Sequence, residues 1–68
     1  MPVTYVTTPK VEINPFDNST ESILEVSSVV DASGKALPRE QFFFAAGTPD
    51  ADIRVKVEAD LLAKGYVI

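Results

Sequence analysis

The 68-residue sequence contains no histidine, no cysteine and no tryptophan. Without histidine and cysteine it cannot form a disulfide, a thiolate or imidazole zinc site, or a Ser-His or Cys-His nucleophile pair. Carboxylates are the remaining candidates for chemistry, and Asp50-x-Asp52 has the spacing of a partial oxygen-ligand set for a hard cation. Those two residues are better explained as compensation of a helix dipole. We therefore expect no enzyme activity, no cofactor and no metal site.

The length of the chain limits what it can bury. A chain of 7.4 kDa exposes roughly 10,700 Å² when unfolded and about 4,200 Å² when folded, so only one thin core can form. The composition is 46% hydrophobic and 24% charged, which is typical of a globular chain and not of a disordered one. The sequence predicts one small domain over residues 1–68.

The chain has few positively charged residues. Six basic side chains face ten acidic ones, for a formal net charge of -4, and the basic residues form no stripe that could follow a phosphate backbone. The longest apolar run covers five residues, 42–46, and no basic segment followed by an apolar run opens the chain. We expect no direct nucleic-acid or membrane partner, and a soluble chain made in the cytoplasm.

The first half of the chain has the composition of β-strands. Residues 3–8 are β-branched and aromatic, Pro9 interrupts them, and residues 11–13 resume the alternation before Pro15. Residues 1–15 are therefore predicted to be an edge strand or an extended N-terminal arm. Residues 22–30 have the strongest β signal, and strict alternation places Leu24, Val26 and Val30 on one face, with Ile23 and Val29 on the other.

Two shorter patterns follow this strand. Residues 31–35 are turn formers, with Gly34 available for a positive φ, and Ala36-Leu37 would begin a return strand that Pro38 ends. Residues 38–46 fit either a short helix that begins at Pro38 or a strand, because three adjacent phenylalanines favour extended structure. We favour a strand over residues 41–45.

The last third predicts an α-helix at about residues 49–64. Thr48 is suited to the N-cap, Pro49 to the first helical position, and Gly65 to a left-handed terminator. An apolar stripe recurs at helical spacing at Ile53, Val57 and Leu61. Together these patterns predict an α+β fold: a small antiparallel sheet of three to four short strands, with one C-terminal helix packed on it.

The three adjacent phenylalanines and the apolar C-terminal tail exceed what a thin core can cover. Aromatic side chains dominate the centres of protein interfaces, so we expect a partner-binding surface that draws on the residues Phe42, Phe43, Phe44, Tyr66, Val67, Ile68, Tyr5 and Phe16.

Two functions fit these features. The first is a non-enzymatic structural or assembly subunit that binds copies of itself or a larger subunit through protein–protein contacts, as in a virus or phage particle. The alternative is a soluble acidic inhibitor or regulator that occupies a basic groove of a larger protein.

Overall fold

The computed structural model describes residues 2–68 and confirms the α+β class, with a small antiparallel sheet and one C-terminal helix. The strand predicted over residues 41–45 is present in place of the alternative helix. In chain order the elements are β1 (Thr4–Ile13), β2 (Thr20–Val30), β3 (Ala36–Leu37), β4 (Phe42–Ala45) and α1 (Asp50–Ala63).

Strand β2 is the centre of the sheet. Strand β1 pairs antiparallel along one edge of β2, while β3 and β4 pair in succession along its other edge. Strand β1 runs without a break through Pro9, which lies opposite Leu24. In an edge strand a proline is tolerated where its missing N–H would have pointed away from the sheet.

A β-bulge at Ser28 changes which residues face the helix. The β1–β2 register shifts between Thr4 and Val6, and Ser28 adopts a positive φ of 53°. The extra residue in β2 reverses the alternation, so Val26 and Val29 both enter the core although they are three positions apart. The predicted faces of β2 are therefore wrong beyond the bulge, since Val29 is buried with Val26 and Val30 is not part of that core.

Helix α1 covers the sheet through the predicted stripe. Its buried residues are Ile53, Val57 and Leu61, and they pack with a set of buried residues from the strands and the N-terminal segment. That set consists of Val3, Val26, Val29 and Leu37.

The two ends of α1 differ in how well they were predicted. The N-cap at Thr48 is wrong: Pro49 occupies the cap position without a side-chain hydrogen bond, and the Thr48 hydroxyl instead donates to the Ala45 carbonyl at 2.7 Å. At the other end Gly65 has the expected positive φ, 88°, and the Tyr66 N–H donates to the Leu61 carbonyl at 3.0 Å.

Cations fix the position of α1 on the sheet. The Arg54 guanidinium donates to the Val3 carbonyl at 2.8 Å and lies 5.0 Å from the centre of the Tyr5 ring. Near the C-terminal end, the Lys64 ammonium lies 2.7 Å from a Glu40 carboxylate oxygen and 3.0 Å from one of Asp60.

The turn after β2 is organised by one carboxylate. Asp31, only 3% exposed, accepts hydrogen bonds at Oδ1 from the Ser33 hydroxyl at 2.6 Å, the Ser33 N–H at 3.0 Å and the Lys35 N–H at 2.9 Å. The Ser33 hydroxyl is the main reason that the pKa of Asp31 lies below its usual value. Gly34 in this turn has the predicted positive φ, 88°.

The molecule is longer than its residue number requires. The radius of gyration is 13.5 Å and the extents are 43 × 22 × 19 Å, whereas a compact chain of this length has a radius of gyration of about 11 Å. The accessible surface is 4700 Å², against the roughly 4,200 Å² typical of this mass. Both excesses are consistent with a β1–β2 hairpin that extends beyond the helix.

Two neighbouring leucines test this arrangement. We expect Leu61→Ala, at a fully buried position, to lower the free energy of unfolding by about 3 kcal/mol through lost burial and a cavity. Leu62→Ala, at a 60% exposed position, should change it by less than about 0.5 kcal/mol. Urea unfolding at low micromolar concentration measures both, and equal losses would contradict the helix orientation.

The Asp31 turn predicts a pH dependence. The folded pKa lies below the unfolded value of about 3.9, so the charged carboxylate stabilises the fold above that pH. This contribution is lost as the pH falls through the lower folded value. Melting temperatures measured between about pH 2 and pH 6 should fall less steeply on acidification for Asp31→Asn than for the wild type. Parallel curves for the two proteins would refute this role.

Candidate protein-binding surface

The structure divides the eight predicted interface residues into two groups. The four rings of Tyr5, Phe42, Phe44 and Tyr66 are half-buried and pack against the core. The other four side chains are exposed: Phe16 by 96%, Phe43 by 59%, Val67 by 55% and Ile68 by 45%. Half of the predicted surface therefore contributes to folding in this chain.

The four exposed residues do not lie together. Phe16 lies in the turn that precedes β2, whereas the Val67 carbonyl accepts a hydrogen bond from Ala32, just beyond the other end of β2, at 3.0 Å. An 11-residue strand is about 37 Å long. Phe43 lies opposite Glu25, on the sheet face away from the helix. The four residues are therefore too far apart to form one partner-binding surface of ordinary size.

Phe16 is held on a turn braced by hydrogen bonds. The Asn14 side chain accepts from the Phe16 N–H at 2.9 Å, and the Asn14 carbonyl accepts from the Asn18 N–H at 2.8 Å. The Asp17 carboxylate accepts from the Ser19 N–H at 2.9 Å, and bonding to Ser19 lowers the pKa of Asp17. These bonds fix the backbone from which the exposed phenyl ring projects.

Two further apolar side chains lie near this turn, and the sequence reasoning did not select them. Val11 and Ile13 are 65% and 66% exposed. Alternate residues of a strand share a face, so both lie on the same face as Thr7, which pairs with the core residue Val26. This is the face that α1 covers farther along the sheet. The lengths of the predicted strands and helix could have revealed this exposure, since the helix is too short to reach them. We define residues 11–22 as the hairpin end.

The hairpin end holds most of the net charge. It contains Glu12, Asp17 and Glu21 and no basic residue, while the rest of the chain has seven carboxylates and six cations. Glu12 lies directly opposite Glu21 across the strands, a like-charge pair that destabilises a sheet. The nearest cation, Lys10, pairs with Glu25 at 3.0 Å.

An open pocket of about 310 Å³ lies at the same place. Its lining residues are Glu12, Ile13, Asn14, Pro15, Ser19 and Glu21. Its lining is mainly polar and includes two carboxylates, which are acceptors for a cationic side chain.

Comparisons with known proteins add no assignment: no family model, no curated protein and no solved structure matches this chain. Within residues 2–68 no helix is both long and apolar enough to cross a membrane. The same residues contain no group of three or more acidic side chains arranged to hold a metal ion.

We expect substitution of the exposed Phe16 ring and substitution within its turn to change the free energy of unfolding by different amounts. Phe16→Ser should leave the free energy of unfolding within about 0.5 kcal/mol of the wild type, because the ring is in water. Asn14→Ala should cost about 1 kcal/mol through its lost side-chain hydrogen bond. Denaturant unfolding of both variants checks this, and a large loss for Phe16→Ser would mean that the ring packs on its own chain.

Proposed function

We propose that this chain is a non-enzymatic protein-binding subunit that docks on a larger protein through its hairpin end. The observation that carries the proposal is Phe16, a 96% exposed aromatic ring on a turn braced by its own side chains. The partner surface is an apolar pocket bordered by lysine or arginine.

The apolar part of the contact supplies the affinity. A phenylalanine that leaves water for a fitted pocket contributes about 1.5 to 3 kcal/mol. Because the Phe16 turn is already ordered, little backbone entropy is lost on binding. Val11 and Ile13 add exposed apolar area on the strand that leads into the Phe16 turn.

The carboxylates of the hairpin end favour a partner surface that is positively charged. Glu12 and Glu21 repel each other in the free chain, and a cation placed between them would remove that repulsion. The pocket between them has room for a guanidinium group, which carboxylates bind through paired hydrogen bonds. An acidic copy of the same hairpin end would lack this complementarity, which favours a different protein as partner.

The alternative function, an acidic inhibitor of a basic groove, would use the same end of the molecule. The two functions differ in which residues dominate. Binding by a subunit anchored at Phe16 depends mainly on the ring and weakly on salt, whereas an inhibitor loses affinity steeply with salt. The expectation of a virus or phage particle, and the interface roles of Phe43, Val67 and Ile68, stay predictions.

A photo-crosslinking amino acid at position 16 tests the proposal. With p-benzoylphenylalanine in place of Phe16, we expect one dominant adduct in cells of the source organism. The same substitution at Phe43, an exposed ring on the sheet face away from the helix, is the matched control. The adduct protein is then purified and titrated with the wild-type chain by calorimetry.

The titration decides the outcome. We expect Phe16→Ser to raise the dissociation constant about tenfold or more, which corresponds to about 1.4 kcal/mol, and Glu12→Lys with Glu21→Lys to raise it further at low salt. Loss of binding only in the charge variant would favour the inhibitor. Unchanged binding in Phe16→Ser, or no adduct beyond that at position 43, would overturn the proposal.

A further inference from the structure

A second pocket lies at the other end of the molecule, beside β3. It has a volume of about 240 Å³ and a mostly apolar lining, which residues 35–40 and Tyr66 form. Leu37 of this lining pairs with Val29 near the end of β2, whereas Phe16 precedes the start of β2. About 30 Å of strand therefore separates the Phe16 ring from this pocket within one chain. We call it the far pocket.

Two cations border the far pocket. Lys35 and Arg39 are exposed residues of its lining, and within residues 2–68 neither forms a salt bridge. The Lys35 ammonium lies 5.9 Å from the centre of the Tyr66 ring, near the outer limit of a cation–π contact. Both cations can therefore pair with carboxylates that another molecule brings to the pocket.

The carboxylates close to the far pocket do not occupy these cations. Glu40, the acidic residue of the lining, lies 2.7 Å from the Lys64 ammonium and is neutralised by it. Asp31 is only 3% exposed, and its Oδ1 is held by donors of its own turn, among them the Lys35 N–H. The exposed charge at the rim of the far pocket is thus positive.

These features match the partner surface that the hairpin end requires. The Phe16 ring needs an apolar pocket, and the carboxylates of residues 12–21 favour cations at its rim. The chain therefore contains both halves of such a contact. Because they lie at opposite ends of a molecule that is 43 Å long, only a second copy can bring them together. Two hairpin ends repel each other, whereas a hairpin end and a far pocket attract.

We propose that, when its larger partner is absent, the hairpin end of one copy binds the far pocket of a second copy. Phe16 enters the pocket beside the Tyr66 ring, where aromatic pairs are favourable, and the carboxylates of the hairpin end face Lys35 and Arg39. The contact rests on the proposed function, because it uses Phe16 as the same anchor. It regulates that site, since a second copy covers the ring until the larger partner displaces it.

The contact between copies is small. One ring and two cations are far fewer than the roughly 20 to 30 residues on each side of a standard interface. We therefore expect a dissociation constant of about 1 mM. A partner that binds the hairpin end more tightly displaces the second copy, so the contact does not block the proposed function.

Nuclear magnetic resonance of the isotope-labelled chain, between about 0.05 and 2 mM, tests the proposal. We expect the amide signals of residues 12–21 and of residues 35–40 to shift with one common dissociation constant. Phe16→Ser and Arg39→Glu should each raise that constant at least about tenfold. Phe43→Ser, at an exposed ring outside both regions, is the matched control and should behave like the wild type. Constant spectra of the wild-type chain, or shifts at only one of the two regions, would overturn the proposal.

A mixture of two variants shows which surfaces meet. Phe16→Ser keeps the far pocket and Arg39→Glu keeps the hairpin end, so the mixture should associate with nearly the wild-type constant although neither variant does so alone. When only Phe16→Ser is labelled, the shifts should be confined to residues 35–40 and Tyr66. When only Arg39→Glu is labelled, they should be confined to residues 12–21. A mixture that does not associate would overturn the contact.

The contact between copies and the proposed function can fail independently. Arg39 lies outside the hairpin end, so Arg39→Glu should leave binding of the larger protein unchanged, whereas Phe16→Ser weakens both interactions. A chain that stays monomeric but binds the larger protein through Phe16 would refute the contact between copies alone. A chain that self-associates through Phe16 but binds no larger protein would refute the proposed function alone.

Discussion

A mismatch of lengths determines most of this structure. Helix α1 has 14 residues and is therefore about 21 Å long, whereas the 11 residues of β2 extend over about 37 Å. One helix cannot cover one whole face of such a hairpin. The covered part becomes the core, and the uncovered part leaves Val11, Ile13 and Phe16 in water. The exposed apolar surface of the hairpin end is thus a consequence of chain length and element length.

The bulge at Ser28 makes the covered part possible. Without it, strict alternation would direct Val29 away from α1, and the core would lose a fully buried residue. The positive φ of a non-glycine residue costs free energy, and burial of Val29 beside Val26 offsets that cost. The Asp31 turn follows directly after β2, so β3 returns antiparallel beside β2 and places Leu37 opposite Val29.

The same features determine which parts of the structure could be predicted from the sequence. The helix bounds, the Gly34 turn and the strand at residues 42–45 could be predicted because each depends on local composition, terminators and turn formers. The bulge could not, since serine has no marked preference for it and its benefit comes from packing on a helix far along the chain. The cap prediction failed because the Thr48 side chain is turned back to the preceding turn, where its hydroxyl donates to the Ala45 carbonyl, and the cap position falls one residue later, at Pro49.

The free edge of β1 shows why association should use side chains rather than strand addition. A ten-residue edge strand would ordinarily recruit further strands. Pro9 removes a donor in the middle of this edge, which discourages backbone pairing. Phe16, Val55 and Leu62 have no comparable protection, and each side chain projects from a fixed backbone. Strand addition at the β1 edge is therefore disfavoured, whereas apolar side chains on an ordered backbone remain exposed. Such a chain is suited to contacts in which side chains fit a partner of complementary shape.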